Sequence, residues 1–341
     1  MAQPRISVLL PAHQAESTLD TCLKSLRRQR ETRWECVLVD DGSRDGTAAV
    51  ARTHAHRDPR VRVLSLPHRG LVHALSAGLE RCRAPFVARM DADDWMHRDR
   101  LGAQLRALEE DAALAGVGCH VRLFPRRPFA LGQGLGDGLR AYESWLNGIT
   151  SAADVRAEAF VECPLAHPGM MFRREALSRF GYRDCEWPED YDLVLRMLGA
   201  GLSLGVVPRR LLAWRDSPSR LSRRHPRYGL DRFTACKAAH LADTFLADAV
   251  QYLLWGYGHT GRALRRALAR HDRHPSHVIE LHPGRLGQRI HGAPVVAPDE
   301  IPSLPRRPLV ASVAGAEARG QIRRALVALG WRETIDFVCA A

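Results

Sequence analysis

The amino-acid sequence predicts an α/β protein in which a mostly parallel central sheet is flanked by helices and followed by a small second α/β unit. The chain has 341 residues, more than one hydrophobic core usually organises, and this length favours about two domains. Its first third alternates short aliphatic runs with longer amphipathic stretches, which is typical of parallel βαβ units. Near residue 256 a glycine-rich turn lies between an apolar run and an arginine-rich helical stretch, which indicates the second unit.

The strands and helices of the first two hundred residues can be assigned from apolar periodicity. Short apolar runs predict strands over residues 6–10, 36–39, 61–66, 85–90 and 168–173. Helical spacing predicts helices over residues 17–28, 48–54, 71–82, 101–110 and 189–199. Ser17 is expected to be the N-cap of the first helix, because a serine hydroxyl can accept a hydrogen bond from the first turn.

Composition excludes several classes of protein. The apolar fraction of 45% and charged fraction of 26% are ordinary for a folded globular chain. No apolar run approaches the roughly 18 residues that cross a bilayer, and the first residues lack the pattern of a secretory signal. The eight cysteines form no C-x-x-C pair, which favours reduced thiols. We therefore expect a cytoplasmic protein, with peripheral contact at the inner face of a membrane left open.

The net charge of +12 comes almost wholly from arginine. The arginine doublets are dispersed along the chain, and such doublets usually lie on solvated helix faces. Neither zinc-finger spacing nor an aromatic platform for single strands accompanies them. Nucleic acid is therefore not an expected partner, although an anionic small molecule is compatible with the charge.

Two acidic loops follow predicted strands. Asp40 and Asp41 come directly after the second strand, and Asp91, Asp93 and Asp94 follow the fourth. The carboxyl ends of parallel strands meet at one edge of a sheet, where ligands bind in open α/β folds, so both loops are expected to face one crevice. Carboxylate oxygens are ligands that Mg²⁺ and Mn²⁺ prefer. An isolated Asp-x-Asp is more often a solvated turn or a helix cap, so the prediction depends on what accompanies it.

Four ordered segments accompany it. They are Pro11 to Glu16, Asp40 to Ser43, Ala88 to Asp94 and Pro188 to Leu193. In this order they resemble the family 2 glycosyltransferases of the GT-A fold, and the resemblance covers about residues 4–220. Gln14 departs from the pattern, since asparagine is common at its position, which puts the identity of the nucleobase and sugar in doubt.

The resemblance implies roles for the donor-binding residues. Pro11 and His13 would lie beside the nucleobase, with Glu16 in the same segment, and Asp41 would accept a hydrogen bond from the base. Asp91 would lie near the ribose and share the Mg²⁺ or Mn²⁺ ion with Asp93, the principal metal ligand.

The resemblance also implies the residues of catalysis. Asp190, with Glu189 before it, matches the acid pair whose aspartate is the general base toward the acceptor hydroxyl in inverting members. A carboxylate can do this because it stays ionised near neutral pH. Arg215 and His167 are candidates for contact with the diphosphate or the acceptor, against purely structural roles.

The last ninety residues carry a second signal. Gly256, Gly258 and Gly261 form a G-x-G-x-x-G turn between a predicted strand at 251–255 and a helix from 262 to about 270. Glu280 follows at the spacing of a ribose-binding acid. The segment resembles Rossmann-like modules found beside sugar-modifying and sugar-transferring domains. It is short for a full dinucleotide and has no catalytic tyrosine-lysine pair, so NAD is not expected, and nucleotide binding and a packing role both stay open.

These predictions combine into one functional hypothesis. Residues 1–225 form a GT-A domain, with a nucleotide-binding half at 1–110 and an acceptor half at 111–225, residues 226–247 form a helical connection, and residues 248–341 form the Rossmann-like domain. The chain would move a sugar from a nucleotide-diphosphate sugar, expected to be a UDP-sugar, to a glycan, lipid-linked or protein acceptor, with inversion. The alternatives are a sugar-modifying oxidoreductase and a nucleotide-sugar binding protein that uses the glycine-rich module. Sequence does not indicate the oligomeric state.

Overall fold

A computed structural model describes residues 3–125, 136–217 and 220–341. The chain divides into two compact units. The first contains Met1–Val155, Leu165–Cys185 and Ala200–Arg224, and the second contains Arg156–Pro164, Glu186–Gly199 and His225–Ala341. The expected domain borders at residues 225 and 247 stay predictions, and part of the expected acceptor half, residues 126–135 and 218–219, lies outside the described residues.

Strands and helices alternate through the first hundred residues. In chain order they are β1 Ile6–Ala12, α1 Glu16–Arg27, β2 Trp34–Asp41, α2 Thr47–Arg57, β3 Val61–Leu66, α3 Leu71–Arg81, β4 Phe86–Arg89, β5 Trp95–Met96 and α4 Arg100–Glu110. The apolar positions spaced three and four residues apart in α1, among them Leu19, Leu23 and Leu26, are buried. This amphipathic face fixes the helix on the sheet.

The next elements complete the first unit and enter the second. They are β6 Leu114–Pro125, α5 Asp137–Gly148, α6 Ala152–Glu158, β7 Met171–Arg173, α7 Arg174–Phe180, α8 Glu189–Gly199, β8 Ser203–Asp216 and α9 Leu221–Arg224. Of these, α8 belongs to the second unit, and α6 runs across the border between the units.

The sheet of the first unit has eight strands in the order β3-β2-β1-β4-β7-β6-β8-β5. The first four strands are mutually parallel, β7 is antiparallel to both of its neighbours, and β6 pairs in parallel with β8. The carboxyl ends of β1, β2 and β4 therefore lie at one edge of the sheet, and the loops that follow them start there. This edge carries both acidic loops that the sequence predicted.

The remaining elements lie in the second unit. They are α10 Leu230–Asp243, β9 Gln251–Trp255, α11 His259–Ala269, β10 His274–Ile279, β11 Arg289–Ile290, β12 Ala293–Val296, β13 Leu309–Ala311, α12 Ala316–Ala328 and β14 Phe337–Cys339. Six strands form a sheet in the order β11-β12-β10-β9-β13-β14. Apart from the antiparallel β11, all of them are parallel.

The second sheet buries an apolar core on each face. One core contains Leu253, Trp255, Ile322, Leu326 and Phe337. The other includes Leu254, Leu264, Leu268 and Val310, and alternate residues of β9 contribute to the two cores. A strand that is buried on both faces is expected for a parallel sheet covered by helices.

The structure confirms the predicted mixed α/β class and corrects two details. Ser17 is not the N-cap of α1, because the helix starts at Glu16 and Ala15 occupies the cap position without a side-chain hydrogen bond. The strand expected over residues 168–173 is shorter, since His167–Gly169 forms a 3₁₀ turn and only Met171–Arg173 pairs in the sheet. Within the described ranges, no helix has both the length and the apolar character needed to span a bilayer.

Candidate functional site

Three carboxylates lie together in the loop after β4. One oxygen from each of Asp91, Asp93 and Asp94 lies within 4.8 Å of the others. The loop is short because β5 begins at Trp95 and pairs with β8, so the three side chains cannot spread apart. A tight loop between two paired strands therefore holds three like charges at close range.

Burial makes this crowding costly for the ionised acids. Burial and the neighbouring Asp91 raise the pKa of Asp93 to about 6. The pKa of Asp94 lies well above its ordinary value for the same reasons, with Asp93 adding to the effect. Asp94 is 1% exposed, and its Oδ2 atom has no hydrogen-bond partner among the described residues. A buried oxygen without a partner is uncommon and calls for a counter-charge.

Arginines partly compensate the cluster. The Arg89 guanidinium lies 2.6 Å from Asp91 Oδ1. The Arg215 backbone N–H donates to Asp94 Oδ1 at 2.8 Å, and its Nε donates to the Asp93 carbonyl at 2.7 Å. Arg220 and Arg215 both lower the pKa of Asp93. The side chain of Arg215 therefore fixes the shape of the loop, as well as contributing positive charge beside it.

The acids fit a hard divalent cation. Carboxylate oxygens on a short turn suit Mg²⁺ or Mn²⁺, which bind few protein oxygens and keep other positions for water and phosphate. The Oδ2 atom of Asp94, which has no hydrogen-bond partner in the part of the chain that the structure describes, is available as a metal ligand. The residue pattern predicted Asp93 and Asp91 as the metal ligands and gave Asp94 no role of its own. It gave no role either to Arg89, which precedes Asp91 by two residues, or to Arg220, which only the tertiary structure brings near Asp93.

The segment after β1 forms the second part of the edge. Pro11 is buried within β1, and the imidazole of His13 stacks on that of His68 with the ring centroids 4.1 Å apart and an interplanar angle of 12°. Burial and the neighbouring His68 lower the pKa of His13. The neutral form of His13 is therefore favoured, and the two stacked rings form a flat surface of the kind that aromatic bases pack against.

Gln14, which departs from the family pattern, ties two loops together. It adopts a positive φ of 52°, and its Oε1 accepts hydrogen bonds from the backbone N–H groups of Arg44 and Asp45 at 2.8 and 3.2 Å. Its own N–H donates to Ser43 Oγ at 3.0 Å. The Gln14 side chain, which is longer than the asparagine common at this position, therefore links the loop after β1 to the loop after β2.

The other predicted donor-site acids make local hydrogen bonds. Asp41 is buried and accepts from the N–H groups of Arg69 and Gly70, each at 2.9 Å, and its Oδ2 lies 2.8 Å from His68 Nδ1. Glu16 accepts from the N–H of Gly46 at 3.0 Å, at the start of α2. Asp41 thus orders the turn that carries His68, and the His13–His68 stack depends on it. The predicted contacts of both acids with a nucleotide stay predictions.

The predicted general base lies in the second unit, at the first turn of α8. Burial raises the pKa of Asp190 to about 7, and the charges of Glu189 and Glu162 add to the effect. A carboxylate with such a pKa is consistent with a proton acceptor that operates near neutrality. Its Oδ1 accepts from the Tyr191 N–H at 2.8 Å. The adjacent Glu189 is 2% exposed and accepts a hydrogen bond from the Tyr228 hydroxyl at 2.7 Å.

His167 has a structural environment. It is 5% exposed, and its Nε2 lies 3.0 Å from the hydroxyl of Tyr182. Burial and the charge of Arg89 hold the pKa of His167 well below its usual value. A buried neutral imidazole with a tyrosine partner is accounted for by packing, so the structure offers no support for its contact with a ligand.

The predicted glycines of the C-terminal segment lie between β9 and α11 or within α11, but the helix begins at His259 rather than at residue 262, so Gly261 lies inside the helix and not in the turn before it. Gly256 follows β9, Gly258 precedes the first residue of α11, and Gly261 is buried in its first turn. They line or adjoin a cavity that also contains Glu280.

Comparison with known proteins identifies the first part of the chain. A family model described as glycosyl transferase family 2 matches residues 7–181. The amylovoran biosynthesis glycosyltransferase AmsE of Erwinia amylovora is 30% identical over 222 residues, which cover 64% of this chain and 79% of AmsE. The putative glycosyltransferase EpsH of Bacillus subtilis is 33% identical over 114 residues, and the match spans only 33% of either chain.

Solved structures share the fold. The structure of S. aureus TarS 1–349 in complex with UDP superposes with a TM-score of 0.54 at 17% identity, covering 78% of this chain and 71% of that one. The mannosyltransferase PcManGT from Pyrobaculum calidifontis, in complex with GDP-Man and Mn²⁺, gives a TM-score of 0.51 at 20% identity, with 80% and 74% coverage. At these identities the likeness concerns the fold.

Proposed function

Because the chain belongs to glycosyltransferase family 2, we propose that it transfers a sugar from a UDP-sugar to a glycan acceptor with inversion at the anomeric carbon. The observation that carries the proposal is the cluster of Asp91, Asp93 and Asp94 at the carboxyl edge of the parallel sheet. Three crowded carboxylates, one with an unpartnered buried oxygen, are unfavourable without a counter-charge, and a divalent cation bound with a diphosphate supplies one.

Asp93 and Asp91 would hold the cation, with Asp94 as a third oxygen donor. When bound, a divalent ion neutralises negative charge that develops on the leaving diphosphate. Arg215 and Arg220 adjoin the same loop and lower the pKa of Asp93. They are placed to attract the anionic diphosphate, and Arg215 in addition keeps the loop in shape through its bonds to Asp93 and Asp94.

The nucleobase would pack on the segment after β1. The exposed His13–His68 stack next to the buried Pro11 presents a flat surface, and Asp41 keeps His68 in position. An oxygen of Asp41 that still has acceptor capacity would meet the base, and Glu16 would order the neighbouring turn. We propose uridine because TarS is described in complex with UDP and UDP-GlcNAc, while the GDP-Man complex of PcManGT makes guanosine the alternative to test.

Asp190 would act on the acceptor. Its carboxylate takes the proton of an acceptor hydroxyl while the hydroxyl oxygen forms a bond to the anomeric carbon. The bond from that carbon to the diphosphate oxygen breaks, and the nucleoside diphosphate leaves with the electron pair. Attack from the face opposite the leaving group inverts the configuration. Glu189, which accepts from Tyr228, helps to keep the pKa of Asp190 high enough for this step.

A glycan acceptor is proposed from the relatives. AmsE is described as an amylovoran biosynthesis glycosyltransferase, and other relatives are chondroitin synthases. The matched segments span 33% of EpsH and 63% of the uncharacterized glycosyltransferase EpsJ of Bacillus subtilis. The acceptor, and any contact with a lipid-linked carrier at a membrane, therefore belong to the proposal.

The test measures nucleoside diphosphate release from a panel of UDP- and GDP-sugars, with Mn²⁺ or Mg²⁺, in the presence of oligosaccharide acceptors. We expect UDP release that requires both metal and acceptor, and that Asp93→Ala and Asp190→Asn each abolish. A change in nicotinamide absorbance that neither substitution affects would instead identify an oxidoreductase. Donor binding without turnover of any sugar would identify a binding protein.

Asp137→Ala is the matched control. Asp137 is a fully exposed carboxylate at the start of α5, paired only with Arg140 in the described part of the chain. Its removal changes the net charge as Asp93→Ala does and leaves the acidic loop untouched, so UDP release should stay at the parent rate.

A further inference from the structure

The second sheet has a cavity at the carboxyl ends of its strands. It has a volume of about 360 Å³, and its lining comes from the turn after β9, from residues 280–285 after β10 and from residues 312–314 after β13. In chain order the five parallel strands lie 3-2-1-4-5, so β9 and β13 flank the point where the strand order reverses. Ligands of open α/β sheets bind in the crevice at this switch point.

The glycines of the turn satisfy three separate steric demands. Gly256 has a φ of 95°, which other residues rarely adopt. A Cβ on Gly261 would lie 2.1 Å from the Gly256 carbonyl oxygen, so only glycine allows α11 to approach the turn this closely. Gly258 differs from both, because its φ of −72° is ordinary and a Cβ there would meet no atom within 4 Å. Packing within the chain therefore does not explain the glycine at residue 258, whereas close approach of a ligand does.

A buried hydroxyl with no partner among the described residues belongs to the lining of the cavity. Ser312 is 1% exposed and lines the cavity, and its Oγ has no hydrogen-bond partner among the described residues. A buried hydroxyl that is left unsatisfied destabilises the fold. The Ser312 backbone carbonyl, by contrast, accepts from Thr260 Oγ1 at 3.1 Å, which joins this part of the lining to the first turn of α11.

The chemistry of the lining is that of a nucleotide site. The N-terminal turn of α11, an eleven-residue helix, presents backbone N–H groups that favour an anion. Glu280 follows β10 and pairs with Arg285 at 2.7 Å, while Arg285 also donates to the Tyr257 carbonyl at 3.2 Å. The Glu280 carboxylate keeps acceptor capacity for a hydroxyl. An anion-binding turn beside a fixed hydroxyl acceptor matches a diphosphate linked to a ribose.

We propose that this cavity binds a nucleoside diphosphate group, with the diphosphate at the first turn of α11 and a ribose hydroxyl on Glu280. The cavity is near the lower end of the roughly 300–1,000 Å³ that small-molecule sites occupy, which suits one nucleotide. Backbone N–H groups would bind the negative charge of the diphosphate here, so binding needs no divalent cation. This site is separate from the acidic loop of the first unit and does not depend on its function.

The test is calorimetric titration of the full chain carrying Asp93→Ala, in EDTA, with UDP, ADP and NAD⁺ as the probes. This background removes cation-dependent binding at the acidic loop. We expect one site per chain for at least one probe, and the probe that binds identifies the base and shows whether the nucleotide is free or part of a dinucleotide. No binding of any of the three at millimolar concentration would overturn the proposal.

Variants of the cavity complete the test. Gly258→Val places a branched side chain in the path of the diphosphate, and it should weaken binding by about tenfold or more while leaving the circular dichroism melt unchanged. Gly148→Val, at an exposed residue with no atom near its Cβ, is the control and should bind as the background does. Glu280→Gln gives a second reading if Gly258→Val fails to fold, and should weaken binding about threefold or more. Unchanged affinity in a folded Gly258→Val protein would contradict the proposal.

Discussion

Two clusters of three acids within the described ranges, one around Asp93 and one formed by Asp190 with the acids that raise its pKa, differ in what surrounds them. In the first unit Asp91, Asp93 and Asp94 come from the single loop between β4 and β5 and adjoin arginines. In the second unit Asp190 is influenced by Glu189 and by Glu162, which lies outside α8. There a tyrosine hydroxyl donates to Glu189. Burial raises the pKa of Glu162, and a backbone hydrogen bond from Cys163 and the charge of Lys237 oppose that shift.

The difference shows that crowded carboxylates can have two uses. Where three oxygens converge within one loop and one of them has no partner, the geometry suits a cation. Where one neighbouring acid is adjacent in the same helical turn, another comes from a different segment and both raise a pKa, the arrangement suits proton transfer, because the acid can take up a proton near neutral pH. Raised carboxyl pKa values alone do not distinguish the two uses, since Asp93 at about 6 and Asp190 at about 7 are similar.

The largest expected effect comes from removing a carboxylate of the first cluster. Asp93→Ala should lower the rate of sugar transfer roughly a thousandfold or more, because both donor binding and charge neutralisation on the leaving group need the cation. Calorimetric titration with UDP and Mn²⁺ should show the loss of the cation-dependent site. Retained transfer would break the distinction between the clusters, and Asp137→Ala controls for the change in net charge.

Asp190→Asn should separate chemistry from donor binding. Transfer should fall roughly 10²- to 10⁴-fold, the usual contribution of a positioned base, while UDP binding with Mn²⁺ stays within about twofold of the parent. Asp231→Asn, an exposed acid on α10, should leave both quantities unchanged. If Asp190→Asn abolishes UDP binding as Asp93→Ala does, Asp190 takes part in donor binding and does not act only as a base toward the acceptor.

The same substitution should stabilise the fold at high pH. Because the folded-state pKa of Asp190 is about 7, above that of the unfolded chain, folding favours the protonated acid, and stability is lost as pH rises through about 7. Asp190→Asn removes this penalty, so its melting temperature at pH 8 should exceed that of the parent by a few degrees, with no difference at pH 4. If the melting temperature of Asp190→Asn at pH 8 is equal to or lower than that of the parent, ionised Asp190 does not destabilise the fold.

The pH dependence of kcat/KM gives a further expectation. The base must be ionised to accept a proton, so activity should fall about tenfold per pH unit below about 7 and level off above it. Initial rates at saturating Mn²⁺ between pH 5.5 and 9 test this. Saturating Mn²⁺ is needed because protons compete with the cation at the first cluster. If the acidic limb of the pH profile shifts with the Mn²⁺ concentration, it reports titration of the first cluster and not of Asp190.

The smallest expected effect concerns Glu162. Its charge raises the pKa of Asp190 as a lesser contribution, after burial and Glu189. Glu162→Gln should therefore move the acidic limb of the pH profile to lower pH by a few tenths of a unit, with the plateau rate unchanged. Glu317→Gln, at an exposed residue in the first turn of α12, should not move it. A shift to higher pH would contradict the electrostatic account of the second cluster.

Local sequence patterns anticipated much of the first sheet. The bounds predicted for β3 and α8 agree with the structure, because apolar periodicity and turn residues are local signals. Ser17 was misassigned as a cap since the chain enters α1 one residue earlier, at Glu16. The 3₁₀ turn at His167–Gly169 interrupts an apolar run that reads as a continuous strand.

The site was anticipated less completely than the fold. Motif spacing predicted Asp93, Asp91 and Asp190 as site residues, and their roles stay predictions, whereas several of the neighbours that surround them come from distant segments. Arg215 reaches the acidic loop from β8, and His68 stacks on His13 from the loop after β3. Only tertiary structure brings such residues together. Within the acidic loop itself, the third carboxylate of Asp94 was visible in the sequence and would have been a sound signal of a fuller ligand set.

The most direct test of the account is Mn²⁺ binding followed by electron paramagnetic resonance, which reports the free ion without requiring turnover. With UDP present, the parent and Asp137→Ala should each bind one Mn²⁺ per chain, and Asp93→Ala should bind it about tenfold more weakly or not at all. If Asp93→Ala binds Mn²⁺ as tightly as the parent does, the acids after β4 do not hold the cation and the proposed transfer site is wrong.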